Sequence, residues 1–350
     1  MKPAAVGILL ALLSASCVTT TDTPSAPPAG AKAADGRPAW LVNPGMRYPE
    51  SRFLVASGDG DTLRAAQNAA TANLAKIFES RIQAEDNLSE RYREWAKGGK
   101  SAFESESILS RRVSIQTAQD LFNIQFSPSF TAPDGRVHVL AALDRAETAA
   151  IYRQRIGENA ARVRAFAQRV AGTDPLHRYA FLQRGATVAL QNRMLLQQLD
   201  LISMADRKAV DLGYDADSLF TQAADAGRAI RCTVRLEGDL DRKVSVAVEE
   251  VLNDLGFSIG ASPVLTVSGK VLLERTDLGR PEVFVRYDVQ VQLADPAGHV
   301  IATFAEKGRE GHLTQKEAEA RALRVVRDQL RETLRGKVVQ YFKGLTEAGG

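Results

Sequence analysis

The chain has 350 residues, of which 45% are hydrophobic and 25% charged, and its formal net charge is +3. That balance is ordinary for a globular protein of about two or three domains and excludes a disordered polyelectrolyte. Its basic residues are dispersed among acids, which removes the electrostatic case for a nucleic-acid partner.

The N-terminus carries the most specific pattern. Lys2 precedes an apolar run from Ala4 to Leu13, followed by Ser14-Ala15-Ser16-Cys17. A basic start, a short apolar stretch and small residues at the cut describe a secretory signal. The run is too short to cross a bilayer core, which needs about 20 residues. No later segment is long and apolar enough to do so either. Ser-Ala-Ser-Cys is similar to a bacterial lipoprotein cleavage site, with Ser14 where that family prefers leucine. The resemblance implies removal of residues 1–16 and acylation, palmitate included, at Cys17. Each buried CH₂ then contributes about 0.8 kcal/mol, and more than one chain gives stable attachment. Val18 follows the cysteine. In Gram-negative sorting an aspartate there retains lipoproteins in the inner membrane, so the resemblance implies the outer membrane, with the body facing the periplasm. The competing reading is a plain secreted protein with an incidental cysteine.

Residues 17–37 form the lipidated cysteine and a tether. From Val18 to Arg37 the chain is rich in Thr, Pro, Ala and Gly without apolar periodicity. Such a composition does not offset ordering entropy. Its mean reach is on the order of 25 Å.

Residues 38–144 read as a first domain. Pro38-Ala39-Trp40, Asn43-Pro44-Gly45 and Tyr48-Pro49 lead into a short buried strand at Phe53–Ala56. Gly58-Asp59-Gly60-Asp61 reads as a turn, with Asp61 as N-cap. A helix follows, with Leu63, Ala66, Ala70, Leu74, Ile77 and Phe78 on one stripe. Gly98-Gly99 breaks that pattern, and Ser107–Gln125 reads as a long strand. Pro133-Asp134-Gly135 signals a turn before a returning strand through Val137, Val139 and Ala141. The order β-α-β-β predicts an α+β domain.

This stretch resembles the twenty-kilodalton envelope lipoprotein family, whose domain recurs in flagellar outer-membrane accessory lipoproteins. The residues that carry the likeness are Pro38-x-Trp40, Tyr48-Pro49, the strand into Gly58-x-Gly60, and Ala65-Ala66 with Ala69-Ala70. The resemblance implies an envelope or surface component rather than an enzyme.

Residues 145–229 read as a helical hairpin. One helix runs from about Arg145 to Val170. Gly172-Thr173-Asp174-Pro175 interrupts it, with Asp174 as N-cap and Pro175 at the first helical position. A second helix continues through Ala180, Val188, Leu195 and Leu199. Arg153, Arg155, Arg162, Arg164 and Arg169 stand along the first helix. They could meet phospholipid head groups or nucleic acid; the plainer reading is a solvated face.

Residues 230–345 read as a second α+β domain. Strands are predicted at Thr233–Leu236, Phe257–Ile259, Val264–Leu273, Val283–Leu293 and Val300–Phe304. Helices are predicted at Val244–Leu255, ended by Gly256, and from Thr314 to about Phe342, with Glu317 completing a capping signal. The run from Val283 to Leu293 alternates apolar and polar residues most cleanly. The fold class is therefore α+β: two small antiparallel-sheet-plus-helix domains joined by a helical hairpin.

Motifs for chemistry are sparse. Gly58-Asp59-Gly60 superficially resembles a dinucleotide fingerprint, but Leu63 occupies the third glycine position and Asp59 and Asp61 would repel a phosphate. His138, His177, His299 and His312 lack metal-ligand spacing. Glu104 with Glu106, and Glu249 with Glu250, are carboxylate pairs of a common kind. Trp40 and Trp95 read as core or interface anchors. Cys232 lies in an alternating apolar stretch and reads as a buried small hydrophobe, with an intermolecular disulfide as the alternative. No catalytic, cofactor or metal residue is assigned, and Cys17 is the one site residue.

The expected function is a non-catalytic outer-membrane lipoprotein, a structural or assembly component of the envelope in a setting that includes the flagellum. Its expected partners are the membrane, through the lipid anchor, and envelope proteins or a second copy, with no nucleic acid and no small-molecule substrate. Alternatives are a tethered regulator of peptidoglycan synthesis, a periplasmic cell-wall enzyme and, ranked below these, a lipid carrier.

Overall fold

β4 (Val137–Asp144) forms the spine of the first sheet, and every residue from Val139 to Asp144 is buried. The computed structural model describes residues 36–84, 121–239, 241–279 and 281–347. β1 (Phe53–Gly60) pairs antiparallel along one side of β4, from Phe53 opposite Asp144 to Gly60 opposite Val137. β2 (Ile124–Phe126) and β3 (Phe130–Thr131) share the other side. Ser127 bridges between them: its N–H donates to Leu140 O and its Oγ accepts from Leu140 N, each at 2.9 Å. Helix α2 (Leu63–Ala84) lays Ala66, Ala70, Leu74 and Phe78 on this sheet. The short helix α1 (Ala39–Val42) carries the buried Trp40.

Two local expectations change here. Gly58 and Gly60 belong to β1 rather than to a turn. The cap of α2 is Thr62 rather than Asp61: Ala65 N donates to Thr62 Oγ1 at 3.2 Å, and Ala66 N to Thr62 O at 3.0 Å. The expected strand from Ser107 and the break at Gly98-Gly99 lie outside the described residues, apart from its end at β2.

α3 (Arg145–Gln168) starts directly from β4, with Asp144 as N-cap. Gly172, at φ 73°, turns the chain. Asp174 then caps α4 (Pro175–Ile202), accepting from Leu176 N at 2.9 Å and His177 N at 3.1 Å. α3 and α4 pack as the expected pair. The helical region also holds α5 (Met204–Ala209) and α6 (Ala216–Ala229), which the two-helix reading omitted. α4 serves two apolar clusters. Its first half, from Leu176 to Ala189, packs in the larger one with the second sheet. Leu196, Leu199 and Ile202 pack in the smaller one with α2 and β4.

The second sheet has the order β6-β5-β7-β8-β9. Its strands are β5 (Arg231–Glu237), β6 (Ser258–Ile259), β7 (Leu265–Thr276), β8 (Val283–Ala294) and β9 (Val300–His312). The α+β class is observed. The sheet departs from the expected antiparallel pairing at β5, which runs parallel to both β6 and β7. The strands β7, β8 and β9 are antiparallel. Helix α7 (Lys243–Asp254) connects β5 to β6, because parallel neighbours need a crossover. It ends at Gly256, whose φ of 83° matches a left-handed stop.

On β8, Val285, Tyr287, Val289, Val291 and Leu293 face the core, while Arg286, Gln290 and Gln292 face solvent. Helix α8 (Gln315–Glu347) covers the core face. Its buried residues recur every fourth position: Ala318, Ala322, Val326, Leu330, Leu334, Val338, Phe342 and Thr346. At 3.6 residues per turn such a stripe rotates by about 40° per step. The contact face therefore winds around the helix, which packs along β8, β9 and α7 and, near its end, also meets α4. There Tyr179 of α4 meets Phe342 at 4.8 Å and Phe257 at 5.2 Å between ring centroids, both edge-on.

Candidate functional site

Cys17, the lipidation site expected from sequence, lies outside the described residues. So do Trp95, Glu104 and Glu106. The remaining candidates are dispersed through the fold. His177 Nδ1 lies 2.5 Å from Asp174 Oδ2 within the α4 cap, and His299 Nδ1 lies 2.9 Å from Asp295 Oδ2 at the β8–β9 turn. Glu249 and Glu250 do not form a pair: Arg242 takes the first at 2.6 Å and Arg331 the second at 2.8 Å. Among the described residues no group of three His, Cys, Asp or Glu is placed to hold a metal. No helix among them is long and apolar enough to cross a membrane.

The Gly58-Asp59-Gly60 segment has a packing role. A Cβ on Gly58 would stand 2.1 Å from Ala70 N and 2.5 Å from Ala66 O, and one on Gly60 would stand 2.7 Å from Ala65 Cβ. These glycines let α2 approach β1 backbone to backbone. Asp59 is paired with Arg136 at 2.5 Å.

The arginines of α3 and its C-cap residue Arg169 are mostly tied within the chain. Arg153 reaches Asp206 at 3.2 Å, and Arg164 donates to Leu212 O at 2.6 Å. Arg155 lies over the Phe122 ring at 3.6 Å, and Arg169 lies 6.0 Å from the Phe181 ring. Arg155 and Arg162, with Gln154, Glu158 and Asn159, line an open cleft of about 520 Å³ floored by Ile151 and Leu195. Within it Gln154 Nε2 donates to Glu158 Oε1 at 3.0 Å. Amides, one carboxylate and two guanidiniums can hydrogen-bond a polar group there. The cleft sets no nucleophile beside a base.

Cys232 is fully buried, and burial pushes its thiol up to about 12. An intermolecular disulfide would require that side chain to leave the core. Tyr179 is likewise raised by burial, its hydroxyl donating to Leu255 O at 3.0 Å.

A dense polar constellation gathers residues that local spacing does not connect. Asp144, at 3% exposure, accepts from Arg52 Nε at 2.8 Å, from Ala146 N at 3.0 Å and from Glu147 N at 3.2 Å. Burial alone would raise its carboxyl. The Arg52 bond, the two N–H groups and the Arg52 charge outweigh that and hold it below the ordinary range. Next to it, Arg145 donates to Leu201 O at 2.8 Å, to Ile202 O at 2.9 Å and to Glu50 O at 3.0 Å. Its guanidinium thus satisfies the last carbonyls of α4, where a cation also meets the negative end of the helix dipole. Burial lowers it, against the opposing charge of Glu50. The one local signal was an aspartate before a helix; its partner Arg52 stands 92 positions away.

No family model matches the chain, and no curated protein matches it. Its structure is similar to that of the secreted protein HP1454 of Helicobacter pylori, with a TM-score of 0.41 and 9% identity over 79% of this chain and 96% of that one. It is also similar to a minor lipoprotein of Acinetobacter baumannii, with a TM-score of 0.21 and 12% identity over 34% of this chain and 92% of that one. At those scores neither likeness transfers a function. The likeness to the twenty-kilodalton envelope lipoprotein family therefore stands as a resemblance of motifs.

Proposed function

We propose that this chain is a non-catalytic lipoprotein of the bacterial outer membrane. Acyl chains on Cys17 hold it to the bilayer, and its α+β body acts in the periplasm as a structural or assembly component of the envelope. The observation that carries this reading is the order Lys2, Ala4–Leu13, Ser14-Ala15-Ser16, Cys17. The Thr- and Pro-rich stretch behind it supplies the reach. The chain's own ionic and hydrogen-bonding groups support a scaffold reading. The arginines at 52, 145, 153 and 164 hold elements of this chain together.

The test is metabolic labelling with palmitate, followed by fractionation of the envelope. The native chain is expected to take up label and float with outer membranes. The Cys17→Ser chain is expected to do neither. A Cys17→Ser chain that still sediments with membranes at its usual size would overturn the reading.

A further inference from the structure

β9 is one of the two edge strands of the second sheet, opposite β6. Two side chains of α8 reach its edge: Lys337 Nζ donates to Thr303 O at 2.7 Å, and Arg321 donates to Gly311 O at 3.2 Å. Those carbonyls therefore face away from β8. Backbone groups along a strand alternate in direction with period two. Ala305, Lys307 and Arg309 share the parity of Thr303 and Gly311, so their N–H and C=O groups also face outward. All three residues are exposed. Between the two donated bonds lies an interval of sheet edge with no strand paired to it among the described residues.

The charges along that interval are sorted by face. Lys307 and Arg309 stand on the solvent face, and Glu306 and Glu310 on the face toward α8. Lys307 is held by Asp288 at 2.8 Å. Arg309 leans over the Phe284 ring at 5.6 Å, and among the described residues no acid is paired with it. No cation is paired with Glu306 or Glu310 among them either.

The geometry points to strand addition at this edge. The occupant is an extended segment of a partner polypeptide with the inverse alternation: acids opposite Lys307 and Arg309, bases opposite Glu306 and Glu310. Main-chain bonds would supply the attachment and the alternating side chains the choice of partner. A second copy of the chain fits this interval poorly. Antiparallel self-pairing centred at 306, 307, 308 or 309 sets Glu306 against itself, Lys307 against itself, Lys307 against Arg309, or Arg309 against itself, and pairing centred at 305 sets Lys307 opposite Thr303, whose carbonyl Lys337 already occupies. Like charges directly opposite destabilise a sheet pair. The inference does not depend on the lipid anchor and survives if Cys17 is not acylated.

Fluorescence anisotropy with the full chain in detergent tests it. The probe is a short labelled peptide, alternating Glu or Thr with Lys or Val in the register described. It should bind saturably and about tenfold more tightly than its charge-inverted counterpart, given four cross-strand charge pairs. Methylating the peptide amides on the pairing edge should abolish binding. Ala305→Pro should abolish it too, because that N–H is not part of the β8 ladder and proline is tolerated on an edge. Arg309→Glu should shift preference toward the inverted peptide and serves if the proline variant unfolds. Equal binding of both peptides, no saturable binding, binding that survives in a folded Ala305→Pro chain, or a dimer mediated by β9 would each overturn the proposal.

Discussion

Gly58 and Ala70 bring β1 and α2 into backbone contact: a Cβ on Gly58 would lie 2.1 Å from the Ala70 amide nitrogen. The obstacle is main chain on the buried side of α2, so no side-chain rotation relieves it. Gly58→Ala is expected to destabilise the fold by about 3 kcal/mol, at the upper end of overpacking costs. Gly157, in α3, has nothing within 4 Å of its added Cβ. Gly157→Ala should raise stability by about 0.5–1 kcal/mol through helix propensity alone. Denaturant unfolding followed by circular dichroism reads both changes. An unaltered midpoint for Gly58→Ala would mean that α2 does not rest on β1 at that glycine.

Asp144 makes stability depend on acid. Its carboxyl ionises more readily in the folded chain than its ordinary 3.8. A carboxyl lowered by folding contributes stability above its unfolded value, and that contribution is lost as pH falls through the folded value. Stability should therefore decline below about pH 4 by more in the native chain than in Asp144→Asn, which keeps an acceptor for the cap but not the charge. Asp144→Ala should cost about 1–2 kcal/mol at neutral pH through loss of the cap. Parallel acid profiles for the native chain and Asp144→Asn would contradict this assignment.

Cys232 should be silent to thiol reagents until the chain unfolds. In a Cys17→Ser background it is the single thiol, and only its thiolate reacts. Burial raises it from 9.0 to about 12. A thiol raised by folding stabilises the chain below its unfolded value, and that contribution is lost as pH climbs from about 9 toward 12. Labelling at pH 8 should proceed at the rate of unfolding and accelerate in denaturant. Stoichiometric labelling in seconds without denaturant would show that the residue is exposed.

Much of the architecture can be read locally. The alternation from Val283 to Leu293 places β8 and its buried face, because a half-covered strand imposes a period of two. Asp174-Pro175 marks the start of α4, since a carboxylate acceptor and a proline suit unpaired N–H groups there. Gly256 marks the end of α7 through its left-handed backbone. The Cys17 pattern is wholly a matter of neighbouring residues, and so is the compartment inferred from it.

Other features depend on residues far apart in the chain. Period two does not reveal the direction of a neighbour, so parallel β5 stayed hidden. A helical stripe shows that a face is covered and not by what, so α4 read as half of a hairpin although it packs in both clusters. Gly58-x-Gly60 carried no local sign that its missing side chains make room for α2. Arg52, Asp144 and Arg145 met only when β1, β4 and the end of α4 converged. Spacing along the chain reports burial, while the identity of the covering partner is decided by packing among elements the local pattern does not connect.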